Sequence, residues 1–209
     1  MSTFADRFCS SFFAPRASAA VVVVLSAGGL SACGKSDIAF PADADIAHAL
    51  QANFEQDANN AKARELVQTL GGEKGQLDYK VRRVIYRQGA FEAQYDVSLR
   101  MARSGAESLQ KLYATMIPKE EAAKLPEQTL AAYEKWLGDN AQTLEKTNPP
   151  QATALRDTLR KLGECYRDTK ANDSVALMDG LGALISPARD GWYADKLQSP
   201  QAQLRCLPV

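Results

Sequence analysis

Apolar and polar residues alternate most clearly between Phe91 and Met101. Phe91, Ala93, Tyr95, Val97, Leu99 and Met101 are separated by Glu92, Gln94, Asp96, Ser98 and Arg100. This period of two buries one face of a strand and leaves the other wet. Upstream, Leu77, Tyr79, Val81 and Ile85 share one parity, so an antiparallel β-hairpin is predicted over about 77–87 and 91–102. Matching the two apolar sets requires odd positions to face odd positions. A three-residue loop, Gln88 to Ala90, meets that requirement with Gly89 free to take a left-handed conformation. The register sets Asp78 against Arg100 and Arg82 against Asp96, and it also places Arg83 opposite Tyr95 on the apolar side.

Elsewhere the period is helical. Ile46, Leu50, Phe54, Ala58 and Ala61, continuing to Leu66, Val67 and Leu70, predict a first helix capped by Asp43 or Asp45 and ended by Gly71 and Gly72. Ser104 and Glu107 have capping-box spacing ahead of Leu109, Leu112, Tyr113, Met116 and Ile117, and Pro118 stops that run. A short helical turn is expected over 119–125. Two amphipathic helices follow, one through Leu130, Tyr133, Leu137, Ala141 and Leu144, the other through Leu155, Leu159, Leu162 and Tyr166, with Pro149 and Pro150 between them. After the apolar-rich Val175 to Ile185, the tail 186–209 contains Pro187, Gly191, Pro200 and Pro208 and is expected to be mostly loop. A lone hairpin is marginal in water. The expected fold is therefore α+β, predominantly helical, with one antiparallel hairpin covered by amphipathic helices.

The first residues follow another logic. Arg7 and Arg16 precede a short apolar run from Ala17 to Leu25, the order of parts in a secretory signal, and the run is short of the roughly 20 apolar residues that span a bilayer. It closes on Leu30, Ser31, Ala32 and Cys33, which resembles the lipobox of bacterial lipoproteins. The resemblance implies cleavage before Cys33, a diacylglyceryl thioether on that cysteine and acylation of the new N-terminus. It also implies sorting to the inner leaflet of the outer membrane, facing the periplasm, because Gly34 stands where an aspartate signals retention in the inner membrane. On this reading 1–32 is a signal peptide, 33–42 a lipidated tether and 43–209 a single periplasmic domain. The same stretch, Gly29 to Ser36, satisfies the phosphate-loop pattern G-x-x-x-x-G-K-S. That pattern needs a helix starting at Lys35 and Ser36; Pro41 follows too soon, and cleavage would divide the motif. No nucleotide is expected.

Charge and cysteine count narrow the function. The 25 basic residues less Arg7 and Arg16 leave 23, and the 25 acidic residues less Asp6 leave 24, so the mature chain has no field to attract nucleic acid. Of four cysteines, Cys9 lies in the signal and Cys33 is assigned to lipid. In an oxidising compartment the remaining Cys165 and Cys206 are expected to form a disulfide. His48 is the single histidine, and no metal or nucleophile motif accompanies it, so no cofactor, metal or catalytic residue is assigned. Two interaction surfaces are candidates. Arg82, Val84 and Tyr86 occupy the other face of the hairpin and form a patch with Arg87, while Arg83 either stacks on Tyr95, meets a buried acid or snorkels to solvent. Trp192 and Tyr193 either plug the core or anchor a partner. The expected role is a membrane-anchored, non-catalytic binding or envelope-support protein, such as an inhibitor or immunity lipoprotein with a periplasmic protein partner. The alternative is a hydrolase of cell wall or lipid using paired carboxylates.

Overall fold

In a computed structural model that describes residues 39–200 and 202–208, the alternating segment lies in the middle of a sheet. The signal segment, Cys33 and the phosphate-loop pattern lie outside the described residues. Strands β1 (Gln76–Arg87) and β2 (Ala90–Arg100) form the expected hairpin, with Phe91, Ala93, Tyr95, Val97 and Leu99 all buried. Its turn has two residues, not three. Arg87 pairs with Ala90, and Gln88 and Gly89 take φ of 45° and 97°, the double left-handed geometry that suits the twist of a hairpin.

With unbroken pairing, that turn would set the apolar face of one strand against the polar face of the other. A β-bulge at Arg82 prevents this: Val81 pairs with Tyr95, and the next pair is Arg83 with Gln94. Below the bulge, Leu77 faces Leu99 and Tyr79 faces Val97. Above it the parity of β1 reverses, so Val84 and Tyr86 lie opposite Ala93 and Phe91 while Arg83 and Ile85 join the polar face. Arg83 is therefore not opposite Tyr95, and Tyr86 and Val84 do not share a face with Arg82. The expected ion pairs still form, Asp78 with Arg100 at 2.9 Å and Arg82 with Asp96 at 2.5 Å.

The sheet is larger than one hairpin. β3 (Ser174–Ala188) pairs with β2, and its other edge is covered by β4 (Gly191–Leu197) and β5 (Gln203–Leu204). The order is β1-β2-β3-β4, antiparallel throughout, with β5 beside β4's line on β3. The tail expected to be loop thus supplies the far edge. The apolar run of β3 gives β2 a second partner, which a hairpin buried on one face requires.

The first helix is also divided. α1 (Asp43–Gln56) stops at Asp57, a 3-10 turn follows at Ala58–Asn60, and α2 (Ala61–Gly71) resumes. The Asp57 carboxylate accepts the Asn59 N–H at 2.9 Å, a local bond that competes with the helical ladder. Arg64 donates to the carbonyls of Phe54 and Asp57, at 2.9 Å each, and satisfies the last turn of α1. Downstream are α3 (Gly105–Met116), with Ser104 accepting the Glu107 N–H, the short α4 (Lys119–Ala122), α5 (Leu130–Thr147) and α6 (Pro149–Tyr166). Pro149 occupies the first turn of α6, where its missing N–H costs nothing.

Cys165 at the end of α6 forms a disulfide with Cys206, 41 residues later. The Cys206 carbonyl accepts the Tyr166 hydroxyl at 2.9 Å, and the neighbouring Arg205 N–H donates to Leu177 of β3. The tail is held along β3 on one side and to α6 on the other.

The buried apolar residues form two clusters along the same face of the sheet. α1 covers one end through Ile46, Ala49 and Leu50, against Phe91, Ala93, Ala183, Ile185 and Ala194. At the other end Leu70, Leu109, Leu112, Tyr113, Leu137, Leu162 and Tyr166 surround Leu99, Met101 and Val175.

Candidate functional site

The interval between these clusters is roofed by the V of α1 and α2. The apex of the V is fastened over β4: Asn53 donates to the Ala194 carbonyl at 3.0 Å, and the Lys196 ammonium donates to Asp57 at 3.0 Å and to the buried Asn60 at 2.7 Å. The arms diverge across the sheet. The chain enters α1 beside Phe91, where Phe40 meets it edge-on at 4.9 Å, and α2 ends where the Gly71 carbonyl accepts the Ala102 N–H beyond β2.

Beneath the V is a chamber of about 350 Å³. Its roof includes Leu50, Phe54, Ala63, Leu66 and Val67, and its floor includes Leu77, Tyr79, Tyr95, Val97, Leu177 and Leu181. The volume lies in the range of small-molecule sites, roughly 300–1,000 Å³, and the lining is predominantly apolar as in such sites. Toward the β1 side, a vestibule of about 660 Å³ is lined by polar groups, among them His48, Gln51, Glu55, Arg64, Gln68 and Glu73. Phe54, Val67, Leu77 and Tyr79 line both spaces and stand between them.

Tyr79 distinguishes this boundary from ordinary core packing. Among the described residues, its hydroxyl and Gln51 Oε1 are buried without hydrogen-bond partners. An orphaned buried polar atom costs about 1–3 kcal/mol, so such atoms are rare in folded proteins. Burial raises the Tyr79 hydroxyl well above its usual pKa, and the neighbouring Tyr95 and Glu55 add to the effect. Tyr95 stands behind it, ring centroids 6.1 Å apart, and is pushed by burial up to about 12. Both phenols stay protonated at neutral pH, each a neutral hydrogen-bond donor and acceptor in an apolar setting. The apex is different: a backbone N–H from Asn59 and the Lys196 ammonium hold Asp57 below the usual carboxylate range. Among the described residues, no group of three or more His, Cys, Asp or Glu is placed to hold a metal ion.

The residues singled out from sequence are distributed differently. Tyr95 is buried in the chamber floor, not beside Arg83. Arg82 and Arg83 are exposed on β1, whereas Tyr86 meets Phe91 at 5.3 Å and Phe40 at 6.5 Å. Arg87 pairs with Glu92 at 3.1 Å. Trp192 and Tyr193 belong to β4 and not to a loop near the disulfide: Trp192 pairs with Pro187, at the far end of β3 from the Cys206 contact with Ala176. Trp192 is half-buried edge-on to Phe91 at 5.6 Å, in the core-packing role, and Tyr193 is exposed. Sequence reasoning treats Tyr79 only as an apolar position of β1 and assigns Gln51 no role. The available signal is that two inward-facing tyrosines on adjacent strands bring two hydroxyls that need partners in the core.

Comparison of the chain with protein-family models, curated proteins and solved structures finds no match.

Proposed function

We propose that this chain is a lipid-anchored protein of the bacterial envelope whose domain binds a small amphiphile without transforming it. The apolar part of the ligand occupies the chamber and its polar part lies in the vestibule. The anchor half of this reading rests on the Leu30 to Cys33 resemblance. The binding half rests on one observation: two adjoining spaces, one apolar and one polar, share the side chain of Tyr79, whose buried hydroxyl has no partner. A ligand hydroxyl, ester or amide at that depth supplies the missing bond, and its chain gains the transfer free energy of an apolar wall, about 25 cal/mol per Å² buried.

A neutral apolar dye, N-phenyl-1-naphthylamine, tests this by titration. Saturable binding of one dye per chain is expected, displaced by single-chain amphiphiles. Ala63 lines the chamber but is itself exposed, so Ala63→Trp fills space from the roof without overpacking the core. It weakens the dye by about tenfold, the factor that corresponds to roughly 1.4 kcal/mol. Tyr79→Phe leaves the stability of the empty protein equal or higher, because the orphaned hydroxyl is removed, and weakens amphiphiles more than the dye. Absence of saturable binding, or equal binding to Ala63→Trp with an unchanged thermal midpoint, eliminates the chamber as the site.

A further inference from the structure

The two hairpin turns of the sheet project from one end. Phe91 pairs with Ile185 and Ile185 with Ala194, so the Gln88–Gly89 turn and the turn between Ala188 and Gly191 emerge side by side. Phe40, where the described domain begins, lies at this same end against Phe91 and Tyr86. Around the two turns the surface is aromatic: Phe40 is 64% exposed, Tyr193 53% and Tyr86 40%, three of the five large apolar or aromatic side chains exposed among the described residues. Phe40 and Tyr86 do not stand alone: both, with the half-buried Trp192, pack on the buried Phe91, which positions them.

We propose that this end of the domain rests on the surface of the bilayer that holds the Cys33 anchor, with Phe40, Tyr86 and Tyr193 set among the lipid headgroups. The inference depends on the lipid-anchor reading and adds a fixed orientation to it. Cys33 is seven residues from Phe40, at most about 25 Å of extended chain, so the aromatic end is the part of the domain that the tether keeps nearest the membrane. Exposed tyrosine rings partition to the membrane interface, where an apolar body and a polar hydroxyl are both satisfied, and the phenyl ring of Phe40 adds apolar surface beside them. The charges are balanced here: Arg87 is paired with Glu92, and Arg189 is followed by Asp190. Attraction to anionic lipid is therefore not the driving force, and the contact persists at high salt.

The full chain, expressed, matured and purified with its lipid, is reconstituted into vesicles of phosphatidylethanolamine and phosphatidylglycerol. Their acyl chains are brominated near the carbonyl end or left plain. Trp136→Phe leaves Trp192 as the single tryptophan, and an unchanged circular dichroism spectrum checks the fold. Bromine is expected to quench Trp192 by about twofold, at low and high salt alike, as for a ring held at the interface. The triple variant Phe40→Ala, Tyr86→Ala, Tyr193→Ala, altered only at exposed positions, still floats with the vesicles but loses most of the quenching. Equal Trp192 fluorescence in brominated and plain vesicles, with the protein afloat, overturns the docked orientation while leaving the anchor intact. A protein that does not float with either vesicle overturns the anchor reading and the orientation with it.

Discussion

The Asp96 carboxylate accepts the Gly180 N–H at 3.0 Å through one oxygen and the Arg82 guanidinium at 2.5 Å through the other. Arg82 is the extra residue of the β1 bulge, and Gly180 lies where β3 shifts register against β2 between Tyr95 and Val97. One side chain thus ties two irregularities to the central strand. Burial pulls its pKa up, but the Gly180 and Arg82 hydrogen bonds outweigh that pull and leave it below its ordinary 3.8. Because the folded-state value is the lower one, the stabilisation is complete above the unfolded value and is lost as pH falls through the folded value. Arg82 is 54% exposed, which limits the ion pair, so Asp96→Asn is expected to cost about 1–2 kcal/mol at pH 7. The gap between variant and parent closes on acidification below about pH 4; urea denaturation at both pH values measures it, and equal midpoints at pH 7 refute the assignment. The Asp78–Arg100 and Arg82–Asp96 pairs are legible in sequence because the charges share the wet face by parity, and although Asp78 faces Ser98 and Asp96 faces Lys80, the long arginine side chains reach diagonally. The position of Arg83 is not, since a bulge leaves no residue signature and Gln88–Gly89 is a weak form of the Asn-Gly turn.

Elements depend on close approach as much as on periodicity. α3 begins at Gly105, whose N–H donates to the Thr169 carbonyl at 3.0 Å and where a Cβ would sit 1.8 Å from the Tyr166 carbonyl oxygen. That contact is with backbone and cannot be relieved by a rotamer. Gly105→Ala is expected to cost about 2–4 kcal/mol, by forcing the start of α3 away from the end of α6. Gly138, within α5, has open space around it, so Gly138→Ala raises stability by about 0.5–1 kcal/mol through helix propensity. Denaturation of both variants checks the contrast, and a neutral Gly105→Ala removes the close-approach argument. The helices with caps or prolines at their ends, α3, α5 and α6, are readable because the boundary residues coincide with the apolar period. β3 is not: eleven apolar-rich residues containing Gly180 and Gly182 fit a buried strand or a buried helix equally well. The split of α1 from α2 is hidden by a helical spacing that continues through Ala58 and Ala61, although Asp57, Asn59 and Asn60 favour local turns.

At the scale of the molecule, the α+β class follows from the mixture of two periods, and the Cys165–Cys206 disulfide from counting cysteines once the others are assigned. The chamber is not written in any local pattern, because it is the interval between two clusters of core residues brought together by tertiary packing. None of the helices of the described residues is long and apolar enough to cross a membrane, so on the proposed reading Cys33 alone carries attachment. Cys33→Ser is expected to shift the protein to the soluble periplasmic fraction or to leave it uncleaved; fractionation and intact mass decide, and normal maturation with membrane retention refutes the anchor.

β1 is the end strand of the sheet and twelve residues long, so its outer edge carries backbone groups that no other strand of the described residues occupies. Such an edge is a template on which a second copy can add, and on the proposed anchored reading copies confined to a membrane plane meet one another often. The bulge at Arg82 bends that template, and Lys80 and Arg83 are exposed basic residues along it, whereas Arg82 and Arg87 are paired with Asp96 and Glu92. The bulge and the exposed basic residues therefore act against self-association along this edge, and on the proposed anchored reading they keep neighbouring domains from zipping into continuous sheet.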